Sequence, residues 1–294
     1  MKIVSLNINS FGGDVDTFEG MKKELANRYY DGDVRKAYKE ALSSWNDAIN
    51  SRSIYKSILK EIDEVDADII LFQEYYINSE AAKKFEEEMR KRNYALKCNY
   101  ITDKRPRPLC TGAFCRDNNA YEEVKSQFDF DGRIFVFKYE DFYIIDAHMP
   151  FNPKDDDRYS DDPKKRAEEV EKQWEDIKEY LEDKKDEKVI FIGDLNVYQR
   201  GTHQYESFVP LFKSDVDMRD LWLEQGGKDN AITYKKKKNK EETKTRLDYA
   251  LVTPGLLESY KYTMSMIPES DEEFEKDWHI SDHRMLVVDI EETI

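Results

Sequence analysis

The sequence predicts an α/β domain built on mixed sheets, and three observations lead there. Short apolar runs alternate with segments of helical periodicity from one end of the chain to the other. Two of those runs lie close enough to form a hairpin, so the sheet cannot be purely parallel. No internal repeat and no Pro/Gly-rich linker interrupts the 294 residues, so one domain over 1–294 is the simplest organisation.

Residues 2–8 (Lys-Ile-Val-Ser-Leu-Asn-Ile) read as a short buried strand ending in polar Asn7 and Asn9. From Phe18 to Val65 the pattern is helical. Val34, Ala37, Tyr38, Ala41, Leu42 and Trp45 recur at three- and four-residue spacing, as do Ile58, Leu59, Ile62 and Val65. Asp68–Phe72 is a continuous apolar strand running into Gln73 and Glu74, and residues 80–91 form another helix. Thr111–Cys115 is a strand. Arg133–Tyr139 and Phe142–His148 form the hairpin, with Glu140-Asp141 at a turn that lacks the usual glycine. Asp162 caps a helix with Pro163 at its first position, and Ala167, Val170, Trp174, Ile177 and Leu181 share one face of it. Val189–Ile192 is a strand ending at Gly193-Asp194, and Leu247–Thr253 and Met285–Ile290 supply two more. The lysine-rich run from Lys235 to Lys240 reads as an exposed loop.

Hydrophobic residues make up 39% of the chain, enough for a sizeable core despite 37% charged residues. The net charge of −16 repels polyanions at long range, so nucleic-acid binding would need a local basic patch or a bound cation. Three scattered cysteines exclude a disulfide framework and offer no zinc-ligand pair. No secretory h-region and no apolar run long enough to span a bilayer occur, which makes the reducing cytoplasm the expected setting.

The informative feature is where polar residues fall. Four apolar strands end in a group able to bind a metal or move a proton, namely Asn7, Glu74, His148 and Asp194. Another strand begins at Asp248, and one more follows Asp282-His283. Singly, each has an ordinary reading as a loop carboxylate, a turn residue, a cap or a structural histidine. Polar groups at several strand ends, however, converge on one pocket in α/β sheets.

Taken in order, the blocks Ile3–Asn9, Asp68–Glu74 and Asp146-Ala147-His148-Met149-Pro150 form a pattern with Gly193-Asp194-Leu195-Asn196, Arg246-Leu247-Asp248-Tyr249 and Ser281-Asp282-His283. The pattern resembles the endonuclease/exonuclease/phosphatase superfamily, which includes exonuclease III, deoxyribonuclease I, inositol-polyphosphate 5-phosphatases and neutral sphingomyelinases. The resemblance covers nearly the whole chain. It implies a four-layer α/β/β/α sandwich of two packed mixed sheets and a Mg²⁺-dependent phosphoesterase, with Mn²⁺ as the other suitable ion. It implies Glu74 as the main metal carboxylate, helped by Asn7 and Asp282. Asp194 would orient or deprotonate water, and Asn196 would hydrogen-bond a phosphate oxygen. His283 would be held by Asp248, a pairing that raises the imidazole pKa. His148 would be a phosphate ligand or the acid for the leaving group, and Arg133 a phosphate contact.

This chain also departs from its relatives. The blocks at the start and from Ile232 to Tyr249 look most like exonuclease III, yet abasic-site endonucleases generally carry Tyr where His148 stands. A helical insertion at about 12–66 separates Asn9 from Glu74, either as surface decoration or as a wall beside the site. Asp155, Asp156, Asp157, Asp161 and Asp162 form an acidic stretch soon after His148, opposed by Lys235–Lys240 and Lys244. Tyr100, Lys104, Arg105 and Arg107 are further candidates for the cleft. The leading expectation is a nuclease acting on phosphodiesters, with nucleic acid as partner. The alternative is a phosphatase or phosphodiesterase of a small or lipid-linked phosphate, and a third is a binding protein that has lost catalysis.

Overall fold

The alternation of side chains along each strand decides the layers, because every second residue must find an apolar partner on the same face. The computed structural model describes residues 1–12, 54–77, 79–98, 109–117, 119–124, 132–155, 162–198, 200–213, 215–238 and 241–293. In chain order the elements are β1 (Lys2–Asn7), α1 (Asn9–Gly12), α2 (Ile54–Val65), β2 (Ile69–Tyr76), α3 (Glu80–Lys91), β3 (Ala95–Lys97) and β4 (Leu109–Cys115). Next come β5 (Tyr121–Glu123), β6 (Ile134–Tyr139), β7 (Phe142–His148), α4 (Pro163–Asp183), β8 (Lys188–Asp194), α5 (His203–Phe208), β9 (Arg219–Asp220) and α6 (Leu221–Glu224). The chain closes with β10 (Tyr234–Lys238), β11 (Glu241–Thr245), β12 (Asp248–Val252), α7 (Pro254–Ser259), β13 (Tyr260–Ile267), α8 (Asp271–Lys276) and β14 (Met285–Glu292).

Two six-stranded sheets form, in the orders β13-β14-β1-β2-β4-β3 and β5-β6-β7-β8-β12-β9. Each is mixed: β1 runs parallel to β2 and β7 parallel to β8, and β14 and β12 join antiparallel. The sheets face each other across a shared core that includes Ile3, Ile69, Leu71, Phe135, Ile144, Ile190, Ile192, Ala250 and Leu286. The outer face of the first sheet packs Val4, Leu6, Ile70 and Phe72 against Ile58 and Ile62 of α2 and Phe85 and Met89 of α3. The outer face of the second packs Val136, Ile145, Val189 and Phe191 against Val170, Trp174, Ile177 and Leu181 of α4. The result is the expected α/β/β/α sandwich. Burying a side chain the size of Ile or Leu contributes about 1.5–3 kcal/mol, which adds to the good helix propensity of these Glu- and Lys-rich segments.

Local caps fix the helix starts, and the one at Asp162 is as anticipated. Ser79 Oγ accepts from Ala82 N at the start of α3, and the Asp162 carboxylate accepts from Lys165 N ahead of Pro163 in α4. The β6–β7 hairpin closes on the pair Tyr139–Phe142, and Glu140 takes φ 56° where a glycine was lacking. One expectation is corrected. The lysine run is not a loop at its start, because Tyr234–Lys238 pairs antiparallel with Glu241–Thr245 as a two-stranded ribbon. Lys235 is half-buried there, and its Nζ donates to the carbonyls of Phe274 and Trp278. The helical pattern expected from Phe18 onward lies outside the described residues until α2, as do Tyr100, Lys104, Arg105 and Arg107.

Gly193 is a position where the backbone demands glycine. Its φ is 138°, and a Cβ there would meet the Ala147 carbonyl oxygen of the neighbouring β7 at 2.1 Å. Gly193→Ala should lower unfolding free energy by at least about 2–3 kcal/mol. A urea midpoint unchanged by the substitution would show that the close approach of β7 and β8 is not required.

Candidate active site

The polar strand ends follow from the same alternation that builds the core. On β1, β7, β8 and β12 the inward-facing positions include Ile3, Ile144, Ile192 and Ala250. Continuing each strand in steps of two toward one end of the sandwich leads to Asn7, His148, Asp194 and Asp248. Register brings them together: Asp194 on β8 lies opposite His148 on β7 and opposite Asp248 on β12. Glu74 breaks the alternation. The β2–β4 register shifts between Phe72 and Tyr75, and Glu74 has φ 53°, a bulge that turns this carboxylate into the cleft.

The cleft has a volume of ≈ 560 Å³, with Glu74, Arg133, His148, Asp194, Asn196, Asp282 and His283 in its lining. Asn7 and Asp248 stand behind it as supports. Asn7 Nδ2 donates to Asp194 Oδ2 at 2.9 Å, and Asn196 N donates to Asp194 Oδ1 at 3.1 Å, so both oxygens of Asp194 are held. Asn196 Nδ2 donates to the Met149 carbonyl at 2.6 Å. His283 Nδ1 lies 2.9 Å from Asp248 Oδ2, leaving Nε2 at 3.8 Å from Asp194 Oδ2. His148 Nε2 faces Glu74 Oε1 and Asp194 Oδ2, each at 3.7 Å. Arg133 Nη1 is 3.0 Å from His148 Nδ1. The same Nη1 is 3.3 Å from His148 Nε2, so the guanidinium lies against the ring near both nitrogens.

Burial and mutual charge set the protonation states. Burial pushes Asp194 up, and Asp248 and Glu74 add to the rise against the opposing His283 and the Asn7 bond, bringing the pKa to about 7. Burial works against the charged form of His283, but the carboxylates of Asp248 and Asp194 outweigh it and raise the pKa to about 10. The second histidine behaves oppositely. Burial, Arg133 and His283 all hold His148 well below the usual imidazole range, so the ring is neutral at neutral pH.

Among the described residues, Asp194, Asp248 and His283 are the three metal-capable groups whose donor atoms lie within 4.8 Å of one another. Chemically they form a carboxylate–imidazolium pair beside a second carboxylate. With Nδ1 engaged by Asp248 and the ring charged to about pH 10, Nε2 has no lone pair to offer a cation. The better donor set is on the other side of Asp194. Glu74 and Asp282 face the cleft beside Asn9, and Asn9 Nδ2 donates to Asp282 Oδ1 at 3.2 Å. Asn7 Oδ1 accepts from Asn9 N at 3.0 Å and keeps a further lone pair. None of the three cysteines lines the cleft, whereas the carboxylates Glu74, Asp194 and Asp282 do. Hard oxygen donors with surplus negative charge fit a divalent cation such as Mg²⁺ or Mn²⁺.

The architecture has solved counterparts. An AP endonuclease from Archaeoglobus fulgidus superposes with TM-score 0.64 over 98% of this chain and 98% of its own, at 15% identity. The 3′ phosphatase NExo from Neisseria, bound to a product DNA hairpin, gives 0.62 over 99% of both chains at 14% identity. A humanized D. rerio TDP2 gives 0.60 over 99% of this chain and 98% of its own, at 14% identity. This chain therefore shares its fold with these three proteins. No family model and no curated protein matches the sequence itself.

Of the residues expected from the superfamily pattern, Glu74, Arg133, His148, Asp194, Asn196, Asp282 and His283 line the cleft, and Asn7 and Asp248 lie behind it. Several further contributors, some of them inside the same sequence blocks, support the site without having been expected in it. Tyr234 packs its ring 4.8 Å from that of His283, and Thr233 Oγ1 accepts from Leu247 N and Asp248 N at 2.9 and 3.0 Å. Ser281 Oγ donates to the Asn7 carbonyl at 2.5 Å and accepts from His283 N at 3.1 Å, joining first strand to last. Arg166, at the start of α4, enters the lining from far along the chain. The acidic stretch is partly accounted for: Asp155 accepts from His203 N and Gln204 N and caps α5, and Asp162 caps α4. Asp156, Asp157 and Asp161 lie outside the described residues.

The His283–Asp248 pair carries a signed pH dependence. Its folded pKa of about 10 exceeds the ordinary 6.5, so its stabilisation is complete below about 6.5 and is lost as pH rises through about 10. In an NMR titration Asp248→Asn should move the His283 midpoint down by at least about one unit. A midpoint that stays near 10 would show that Asp248 does not hold the charge.

Proposed function

We propose that this chain is a divalent-metal-dependent phosphoesterase that hydrolyses a P–O bond with water, and specifically a nuclease acting on phosphodiesters. One observation carries the reading: a buried Asp194, tuned to about 7, is flanked by a cationic His283 and a neutral His148 in one cleft with Glu74 and Asp282. Two of the solved structures with this fold are an AP endonuclease and a 3′ phosphatase with product DNA, which supports a nucleic-acid substrate.

Glu74, with Asn7 and Asp282, would hold the cation, Mg²⁺ or Mn²⁺. Bound there, it supplies Lewis-acid polarisation of the phosphoryl group and neutralises the charge that builds up in the transition state. Asp194, its two oxygens fixed by Asn7 and Asn196, orients water and accepts its proton. The His283 imidazolium, fixed by Asp248, offers Nε2–H to a phosphoryl oxygen that gains charge. His148, held neutral by burial with Arg133 against its ring, would serve as a hydrogen-bond donor to phosphate through its one ring N–H rather than as a cationic acid. Asn196 has a second amide hydrogen for a phosphate oxygen, and the Arg133 and Arg166 guanidiniums bring positive charge to the rim. The net charge of −16 favours the second reading, a small or lipid-linked phosphate as substrate.

A substrate panel with Mg²⁺ separates the readings: single- and double-stranded DNA, abasic-site DNA, RNA, an inositol polyphosphate and sphingomyelin. Nucleic-acid cleavage that EDTA abolishes, and that falls about 10²–10⁴-fold in His283→Ala, is the expected result. Activity confined to the inositol polyphosphate or sphingomyelin would replace the nuclease reading with the second one. If nothing is turned over and Asp194→Ala binds a ligand as well as wild type, the chain is a binding protein. The pH profile of kcat/KM should rise through about 7 or below, as Asp194 loses its proton, and fall near 10, as His283 does. An acid limb unmoved in Asp194→Asn would assign the base elsewhere. Glu74→Ala should weaken calorimetric Mg²⁺ affinity at least about tenfold while leaving the unfolding midpoint nearly unchanged. Unaltered affinity would remove Glu74 from the metal site.

A further inference from the structure

Behind the cleft, the inner faces of the two sheets carry one polar layer before the apolar core begins. It consists of Ser5 on β1, Gln73 on β2 and Asp146 on β7, exposed to 2%, 0% and 0%. Gln73 Nε2 donates to Ser5 Oγ at 3.1 Å and to Asp146 Oδ1 at 2.6 Å. The second bond crosses from one sheet to the other, since β2 and β7 belong to different sheets. Two atoms of the same pair, Gln73 Oε1 and Asp146 Oδ2, are buried without a hydrogen-bond partner. If Asp146 is ionised both are acceptors, and neither can satisfy the other. Nothing in the layer is cationic. Burial drives the Asp146 carboxyl well above the usual carboxylate range, opposed by the Gln73 bond.

We propose that Asp146 is a neutral carboxylic acid paired with the Gln73 amide across the two sheets, and that this pair is a positioning element for the site above it. A single proton on Oδ2 turns two orphaned acceptors into a donor and an acceptor, so the acid matches the amide group for group. Each member of the layer leads directly into a site residue. Gln73 precedes Glu74 at the bulge, Asp146 is two residues before His148 on the same face of β7, and Ser5 is two before Asn7 on β1. The acid–amide pair therefore spans the same gap that His148 Nε2 and Glu74 Oε1 face each other across at 3.7 Å. An apolar pair would fill the space, but it has no directional bond to fix how the sheets register. An ionised Asp146 would leave an uncompensated charge in the core.

Only the effect on turnover rests on the phosphoesterase reading, so the experiment has readouts with and without substrate. Infrared difference spectra between wild type and Asp146→Asn should show a protonated-carboxyl C=O band that the variant lacks. A carboxylate signature there instead would overturn the neutral acid. Asp146→Asn keeps one donor and one acceptor and should retain kcat, Mg²⁺ affinity and the His148 ring ¹⁵N shifts. The apolar double variant Gln73→Leu/Asp146→Leu should stay folded by circular dichroism, yet lose at least about tenfold in kcat with a smaller change in KM, because positioning rather than binding is lost. Its His148 shifts should move as well. Wild-type kcat and unmoved His148 shifts in that variant would overturn the positioning role. Should it fail to fold, Gln73→Glu/Asp146→Asn exchanges acid and amide between the sheets and should behave as wild type; disrupted His148 shifts there would overturn the pairing. Should wild type hydrolyse no phosphoester, the infrared band and the His148 shifts still decide the proposal, and only the phosphoesterase reading falls.

Discussion

The site depends on one constraint, that side chains alternate along a strand and two sheets share an inner face. Toward the middle of the sandwich the inward positions are Ile3, Ile69, Leu71, Ile144, Ile192 and Ala250, and they make the core. Toward one end the same parity places Ser5, Gln73 and Asp146, and then Asn7, His148, Asp194 and Asp248. A one-residue slip in any of these strands would move its polar residues to a helix-covered face and its apolar residues into the cleft. Stability and site geometry are thus specified by the same registers.

The arrangement places several ionisable groups where water is scarce, and their mutual charges settle the outcome. Burial makes Asp194 hold its proton more tightly, and the neighbouring carboxylates of Asp248 and Glu74 add to the effect against His283. The two histidines share this neighbourhood and are driven in opposite directions. His283 bonds Asp248 and is charged, whereas His148 bonds Arg133 and is neutral. The backbone is strained at the same place. Asn9, Glu74 and Asn196 all have positive φ, at 43°, 53° and 53°, and Gly193 stands beside Asp194 at 138°. Non-glycine residues in that region cost of order 1–3 kcal/mol each, which the surrounding sheets and cores must offset.

Peripheral elements complete the cleft from a distance. The β10–β11 ribbon reaches the last strand through an antiparallel bridge between Tyr234 and His283. It is anchored by the half-buried Lys235, whose ammonium lies 4.6 Å from the Phe274 ring centroid as well as bonding backbone carbonyls at the end of α8. Arg284 also lies over Phe274, 4.7 Å from the ring centroid, and pairs with Asp271. Together these contacts hold His283 and Asp282 against the first strand, where Ser281 bonds the Asn7 carbonyl.

Much of this was determined by the sequence itself. Apolar runs with period two or three to four marked the core strands and the helices α3 and α4, and caps such as Ser79 and Asp162 act locally, within one turn. The polar residues ending those strands, from Asn7 to Asp194, were legible for the same reason, and the superfamily pattern joined them. Weaker elements were not legible. β13 has no continuous apolar run, only Tyr260, Tyr262, Met264 and Met266 alternating with polar residues, and the lysines of β10 read as loop because ribbon pairing, not propensity, makes them a strand. Only the tertiary structure decided that Glu74 turns inward at a bulge, that His148 and His283 carry opposite charge states, and that Asp146 meets Gln73 across the sheets. Those outcomes depend on burial and on partners 15 to 187 residues away along the chain, as in His148–Arg133 and Asn7–Asp194, which no local pattern encodes.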